Sequence, residues 1–130
     1  MTASIPLWLR SLQDLPDLLA IAGFTVMGVG AIAKPAFVTA QFGILELTPA
    51  GRSEVRAVYG GFGIFIALAL LVALRQPELR SGILFTVAAA LGGMAAGRLV
   101  SAAIDRTIDR KPLGYLALEI GVAVMLLAVA

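Results

Sequence analysis

Four charged residues stand beside long apolar stretches of the chain, and their charges balance. Glu54 and Arg56 directly precede eighteen residues without a charge. Arg98 and Glu119 lie inside two later apolar stretches. Because an ionisable group in hydrocarbon costs about 2.5 to 3.5 kcal/mol on insertion scales, these side chains should face the protein interior and one another. Carboxylates and guanidiniums form strong charge-assisted hydrogen bonds, so the pattern predicts a neutral polar network.

Hydroxyl groups extend this predicted network. Ser101 follows Arg98 by three residues and Asp105 follows it by seven, so the three side chains share one face of a helix. Tyr59 lies on the same helical face as Arg56. The candidate polar cluster, with either a ligand-binding or a structural role, therefore consists of Glu54, Arg56, Tyr59, Arg98, Ser101 and Glu119.

Glycines indicate where helices approach one another closely. The sequence GGFG at residues 60–63 opens the second apolar stretch, and a GxxxG pattern at residues 93–97 ends next to Arg98. Small residues let membrane helices come into close contact. We expect packing within the chain rather than a dedicated dimer interface, and we assign it to Gly60, Gly61, Gly63, Gly93 and Gly97.

The composition requires a membrane around these residues. Of 130 residues, 60% are hydrophobic and 14% are charged, against about 25% charged residues in ordinary soluble domains. The mean hydropathy is +0.98. The net charge is +2 and the ten Lys and Arg residues are scattered, which argues against nucleic-acid binding.

The sequence has no Cys and no His, which removes disulfides, thiol chemistry, structural zinc and the usual haem ligands. We therefore predict no metal and no cofactor.

Four apolar segments are long enough to cross about 30 Å of hydrocarbon as helices. They predict spans at residues 18–33, 50–74, 82–104 and 113–130, within a single membrane domain formed by residues 1–130. The predicted fold class is all-α, an integral membrane antiparallel four-helix bundle. An interfacial N-terminal lead-in, anchored by Trp8, should end where a new helix starts at Pro16. The alternative is that the first helix simply begins earlier.

The connection at residues 34–47 is unusually apolar for a loop. Its large side chains would not be left in water, so it should lie in the membrane interface or fold back over the bundle. Thr48 and Pro49 then suit the N-cap and the first position of a helix. This helix would contain both Glu54 and Arg56.

Antiparallel helices bring the first and third connections to one membrane face, in the leaflet that holds all four charges. Apart from Arg98, six basic residues belong to that face and three to the opposite face. The positive-inside rule then predicts a multi-pass inner-membrane protein with a cytoplasmic cluster and periplasmic termini.

The polar positions resemble those of a known family. The patterns Glu-x-Arg-Ala-x-Tyr-Gly-Gly at residues 54–61, Gly-Arg-Leu-x-Ser at residues 97–101 and Glu119 are similar to the signature of bacterial membrane proteins grouped as domain-of-unknown-function family 4345. The resemblance covers nearly the whole chain and implies a small four-span protein, distantly similar to DoxX-like membrane proteins, with no attached activity. The connection at residues 105–111 departs from the shorter Asp-Gly type of turn that the family leads us to expect.

Three interpretations of the cluster are open. The charges can fix helix register without binding anything, they can line a pocket for a polar headgroup or small metabolite, or Glu119 or Glu54 can serve catalysis or proton-coupled transport. Nearby arginines would keep the carboxylates ionised, which argues against a simple proton relay.

We expect a non-enzymatic accessory or interaction subunit that contacts membrane lipids and a larger membrane complex or its own copies. The alternative is an enzyme or carrier that binds a small molecule or lipid headgroup at the cluster. A dry, fully paired cluster would favour the first function, and a cleft with an unpaired arginine would favour the second.

Overall fold

Five helices build the described part of the protein, and four of them are long. The computed structural model describes the backbone of residues 7–130 and the side chains of residues 10–130. The helices are α1 (Leu7–Ala33), α2 (Pro35–Ala40), α3 (Pro49–Arg75), α4 (Pro77–Asp105) and α5 (Arg110–Ala128). All except α2 are long and apolar enough to cross a membrane. The predicted all-α architecture with four spans is therefore confirmed for these residues.

Local signals in the sequence set several helix ends. The backbone N–H of Gly51 donates to Thr48 Oγ1 at 3.1 Å, and Pro49 is the first residue of α3. This confirms the predicted helix start. Pro77 begins α4 in the same way, because proline has no N–H to lose at a first helical position. Arg106 ends α4 in the left-handed conformation, with φ at 54°.

Helix α1 is continuous from Leu7, so the expected boundary at Pro16 is wrong. Proline removes one backbone hydrogen bond from a helix interior, but the remaining groups of an apolar segment are best satisfied by staying helical. The side chain after it, Asp17, is fully buried in the bundle and ties this part of α1 to the other helices. The side chain of Trp8 lies outside the described residues, so its anchoring role stays a prediction.

The bundle has two ends, which we name by what they carry. The connection end holds the segment at residues 34–48 and the turn at residues 106–109, and the terminal end holds the start of α1, the end of α5 and Gln76. Gln76 alone joins α3 to α4. This short link makes α3 and α4 antiparallel neighbours.

The apolar core lies between α1, α3, α4 and α5. Leu70, Leu84 and Leu126 are fully buried at its centre. Small residues such as Ala20 and Ala73 pack around them and let the helices approach. Many large apolar side chains point outwards instead, including Phe65, Phe85 and Ile104. This outward apolar surface suits contact with lipid tails.

Close packing by glycine occurs between α1 and α3. A Cβ atom at Gly60 would lie 2.6 Å from Ile32 Cγ1, and one at Gly63 would lie 3.1 Å from the carbonyl oxygen of Phe24. Gly28 of α1 faces both glycines. The two helices therefore meet almost backbone to backbone.

The other glycines that the sequence analysis assigned to helix packing behave differently. A Cβ at Gly93 or Gly97 would meet no atom within 4 Å, and one at Gly61 would meet only the Arg56 carbonyl oxygen of its own helix. Packing within the chain at these three positions is not observed. The GxxxG pattern lies on the outer surface of α4, because α4 turns Leu91 and Ala95 towards the core.

Helix α3 contains a π-helical turn at Arg56–Gly61 between α-helical Pro49–Val55 and Phe62–Arg75. The backbone N–H of Phe62 donates to the carbonyl oxygen of Ala57, five residues earlier. A π-turn changes the direction in which the side chains on either side of it point. The sequence RAVYGG, which carries part of the family resemblance, is this turn.

Replacing Gly28 by alanine should destabilise the protein, because the new Cβ would meet Ile64 N and Gly60 O at 2.9 Å each. Backbone atoms cannot move aside cheaply, so we expect a loss of about 1 to 3 kcal/mol in the free energy of unfolding. Gly23→Ala is the matched control on α1, since nothing lies within 4 Å of its Cβ. Unfolding in mixed micelles, followed by circular dichroism, measures both. A Gly28→Ala variant as stable as Gly23→Ala would contradict the packing described above.

Candidate functional site

Arg98 of α4 and Glu119 of α5 form an ion pair through one edge of the guanidinium and both carboxylate oxygens. Arg98 Nε donates to Glu119 Oε1 at 3.0 Å and to Oε2 at 2.9 Å, and Arg98 Nη2 donates to Oε1 at 2.8 Å. The glutamate side chain is 6% exposed and the arginine side chain 22%. Both carboxylate oxygens are thus engaged, and the contact joins two helices that pack along much of their length.

Tyr115 covers the arginine and connects it to the first connection. Its ring centroid lies 5.3 Å from Arg98 Cζ, within the range of a cation–π interaction. Its hydroxyl donates to Gln41 Oε1 at 2.6 Å, and its ring lies 5.8 Å from that of Phe42. The segment after α2 therefore contacts α5 through Gln41 and Phe42, which agrees with one of the two expected placements, whereas Phe37, Ile44 and Leu45 are exposed.

The structure does not join Glu54 and Arg56 to this pair. Arg56 is exposed, and its Nε donates to the Ile32 carbonyl oxygen at 3.1 Å, where it satisfies one of the free carbonyls at the end of α1. Glu54 is exposed and forms no ion pair among residues 10–130. The expected four-residue network is therefore reduced to the Arg98–Glu119 pair. The physical reason is that Arg56 finds a neutral acceptor on its neighbouring helix α1.

The two hydroxyl residues of the predicted cluster also have separate positions. Tyr59 is half-buried and within electrostatic range of the Arg98 guanidinium, but it makes no hydrogen bond to it. Ser101 is exposed, and its Oγ donates to Asp105 Oδ2 at 3.3 Å. Arg98, Ser101 and Asp105 therefore share one face of α4, as predicted, but Ser101 and Asp105 are exposed on the outside of the bundle.

A cleft of about 410 Å³ opens on this outer face of α4, next to Arg98. Its wall on α4 consists of one helix face, and the turn at residues 106–109 with the start of α5 closes one end. It is lined by Met94, Gly97, Arg98, Ser101, Ala102, Asp105, Thr107, Ile108, Asp109 and Pro112. We call this the Arg98 cleft.

The chemistry open to these residues follows from which groups are already bonded. Both oxygens of Glu119 already accept from Arg98. No group of three or more acidic residues able to hold a metal ion occurs in the described range. The Arg98 Nη1 group, in contrast, has no hydrogen-bond partner in residues 10–130. The site can therefore offer a guanidinium donor, hydroxyls and carboxylates to a ligand.

A second ion pair, between Arg80 and Asp17, lies at the terminal end of the bundle and was not predicted from the sequence. Arg80 of α4 donates through Nη1 to Asp17 Oδ2, and through Nη2 to the Gln13 carbonyl oxygen at 3.1 Å. Its Nε reaches the Val129 carbonyl oxygen at 3.5 Å, and Asp14 lies 3.6 Å away. Arg80 thus connects α1, α4 and the end of α5. Each end of the bundle is held by one arginine of α4.

The helix start expected at Pro16 places Asp17 in a first helical turn, and the expected spans at residues 50–74 and 82–104 place Arg80 in the connection between them. Both assignments followed from their position near proline residues, which often mark helix ends. In the structure each lies within a longer helix. The signal that could have identified the pair is the placement of both residues at the same end of their spans, where an isolated buried charge needs a partner.

Replacing Arg80 by methionine should leave Asp17 buried without its counter-charge. Breaking a buried ion pair in this way costs about 3 to 5 kcal/mol. The control is Arg75→Met, because Arg75 is exposed and has no ion pair in the described chain. This control should lose less than about 1 kcal/mol. Equal unfolding free energies for the two variants in mixed micelles would contradict a stabilising role of the pair.

Comparison with known proteins identifies a family for this chain. No curated protein and no solved structure matches the sequence. One family profile, described as a domain of unknown function and numbered 4345, matches residues 18–130, which include all four charged residues of the predicted cluster, three of the four candidate spans in full and the first span from residue 18 onwards. The chain therefore belongs to domain-of-unknown-function family 4345.

Proposed function

We propose that this protein is a non-enzymatic accessory subunit of a larger assembly in the inner membrane, in which its ion pairs hold the bundle together. The observation that carries this proposal is the complete engagement of Glu119 by Arg98. Glu119 therefore already has a partner within the bundle. Its charge is used to join α4 to α5.

A structural role also explains why Tyr115 covers the Arg98 side of the ion pair. Tyr115 stacks on Arg98 and is itself fixed by Gln41 and Phe42. A guanidinium and a carboxylate removed from water need such bonds to offset their loss of hydration. Intramembrane charges of this kind fix which helix faces meet, and they make the bundle a rigid partner for other membrane helices.

An enzyme or carrier that uses all four charges has less support. Such a site requires Glu54, Arg56, Arg98 and Glu119 to face one cavity. Arg56 instead bonds to Ile32, and Glu54 is exposed to the surroundings. This separation favours the accessory role over catalysis at the four-residue cluster.

The orientation in the membrane follows from the basic residues. The connection end carries Lys34, Arg52, Arg56, Arg106, Arg110 and Lys111, whereas the terminal end carries Arg10, Arg75 and Arg80. Because basic residues accumulate on the cytoplasmic side, the connection end is cytoplasmic in this proposal. The partner is another membrane protein or a second copy of the chain, in contact with surrounding lipid and not with nucleic acid.

The double variant Arg98→Met with Glu119→Leu tests whether the pair is structural. Replacing a buried ion pair by apolar residues of similar size is often neutral or stabilising, whereas Glu119→Leu alone leaves a buried charge and costs about 3 to 5 kcal/mol. We expect the folded double variant to co-purify with the same stoichiometric membrane partner as the wild type, identified by mass spectrometry after cross-linking in native membranes.

Two outcomes would overturn the proposal. A double variant that unfolds at the wild-type temperature but loses the partner would make the charges part of a binding or reaction site. A wild-type chain that cross-links to neither another protein nor its own copy would exclude the accessory role.

A further inference from the structure

The Arg98 cleft contains more polar groups than the bundle needs for its stability. Asp109 occupies the N-cap position of α5, yet its side chain makes no capping hydrogen bond. Asp105 accepts one bond, from Ser101 at 3.3 Å, and forms no ion pair in residues 10–130. Arg98 keeps its Nη1 group unbonded beside these residues. The cleft thus presents donors and acceptors that the protein itself leaves free.

These charges have an order along the cleft. Asp105 is the last residue of α4, and Arg98 precedes it by seven residues. Arg98 therefore lies roughly 10 Å deeper in the membrane along the helix axis than Asp105. Asp105 and Asp109 lie at the outer end, where the chain turns between α4 and α5. A positive group therefore lies towards the hydrocarbon and two negative groups lie towards the water.

The inner part of the cleft is smooth and apolar. Gly97 and Met94 line it beyond Arg98. A Cβ atom at Gly97 or Gly93 would meet nothing within 4 Å, so no side chain of the bundle covers this part of α4. An elongated apolar group can lie along the helix here while its polar end remains between Arg98 and Asp105. This continuity with the lipid-facing surface favours a lipid over a free metabolite.

We propose that the Arg98 cleft binds a zwitterionic phospholipid whose headgroup ends in a primary ammonium. In such a lipid the phosphate is attached next to the glycerol, and the ammonium is the outermost group. The phosphate accepts from Arg98 Nη1, and Asp105 and Asp109 accept from the ammonium. The order of charges in the lipid is the reverse of that in the cleft, which is the condition for electrostatic complementarity.

Neighbouring charges limit which headgroup fits. Arg110 and Lys111 line an adjoining cleft of about 380 Å³ beside Gln41 and Phe42, which shares Asp109 and Pro112 with the Arg98 cleft. The Arg98 cleft itself contains one arginine, which is paired with Glu119 through Nε and Nη2, and two carboxylates. An anionic headgroup without an ammonium would leave both carboxylates unpaired. A quaternary ammonium would satisfy their charge but could donate no hydrogen bond to them.

Native mass spectrometry of the whole chain, released from nanodiscs that contain equal amounts of three lipids, measures this preference. The lipids are phosphatidylethanolamine, phosphatidylcholine and phosphatidylglycerol with identical acyl chains. Because hydrogen bonds to charged groups are the strong ones, we expect phosphatidylethanolamine to be retained about tenfold better than either of the others. Equal retention of the three lipids would overturn the proposal.

Two variants locate the site. Gly97→Leu fills the cleft, and its control is Gly82→Leu, which is equally uncovered on the same helix but far from the cleft. We expect Gly97→Leu to lose the retained lipid and Gly82→Leu to keep it.

The double variant Asp105→Asn with Asp109→Asn should keep the fold and lose the preference for the ammonium headgroup. Unchanged preference in both cleft variants would overturn the assignment to this cleft.

A third arm separates a lipid from a soluble compound of the same chemistry. Glycerophosphoethanolamine carries the same headgroup without acyl chains, so it should displace the bound lipid only at a concentration far above that of the lipid. Displacement at equal concentration would overturn the assignment to a lipid. None of these outcomes depends on whether the chain has a protein partner, because each compares lipid binding to the purified chain.

Discussion

The guanidinium of Arg98 and the carboxylate of Glu119 constrain the whole bundle, because neither group can be left alone in an apolar environment. Each would cost several kcal/mol if it faced hydrocarbon without a partner. Their three contacts of 2.8 to 3.0 Å fix the rotation and height of α4 relative to α5. Tyr115 lies on the same arginine, and it brings the apolar first connection back onto the bundle through Gln41.

A second constraint acts at the opposite end of the same helix. Arg80 joins the fully buried Asp17 and two backbone carbonyls, one near the start of α1 and one at the end of α5. Between these ends, α1 and α3 approach closely at Gly28, Gly60 and Gly63, where backbone atoms and the side chains of Met27, Ile32 and Ile64 fill the space beside the glycines. Helix α4 therefore carries both arginines that hold the bundle, whereas α3 is held to α1 mainly by close backbone packing.

The sequence was sufficient to predict four spans and the start of α3, because these depend on local properties. Apolar length predicts a span, and Thr48 before Pro49 predicts a helix start. The partners of individual charges depend on which helix faces meet. Local sequence patterns do not show which faces these are. Arg56 was expected to meet other charges, but after the chain folds its nearest acceptor is the carbonyl oxygen of Ile32. Gly97 was expected to pack against a helix, but it faces outwards and lines a cleft.

The two sides of Arg98 have different consequences for function. On its inner side the arginine is bonded to Glu119, which supports a structural role and the proposal of an accessory subunit. On its outer side it lines a cleft together with two aspartates that form no ion pair within residues 10–130. One residue can therefore hold the helices together and also present a free donor to a lipid, because a guanidinium has more than one edge.

Exchange of the two charges tests most directly whether Arg98 and Glu119 hold α4 to α5. Arg98→Glu and Glu119→Arg alone each place two like charges in contact, and each should lose about 3 to 5 kcal/mol in the free energy of unfolding. The protein that carries both changes restores an opposite-charge pair. We predict that it recovers more than half of that loss in mixed-micelle unfolding. A double variant as unstable as the sum of the two single variants would contradict direct pairing.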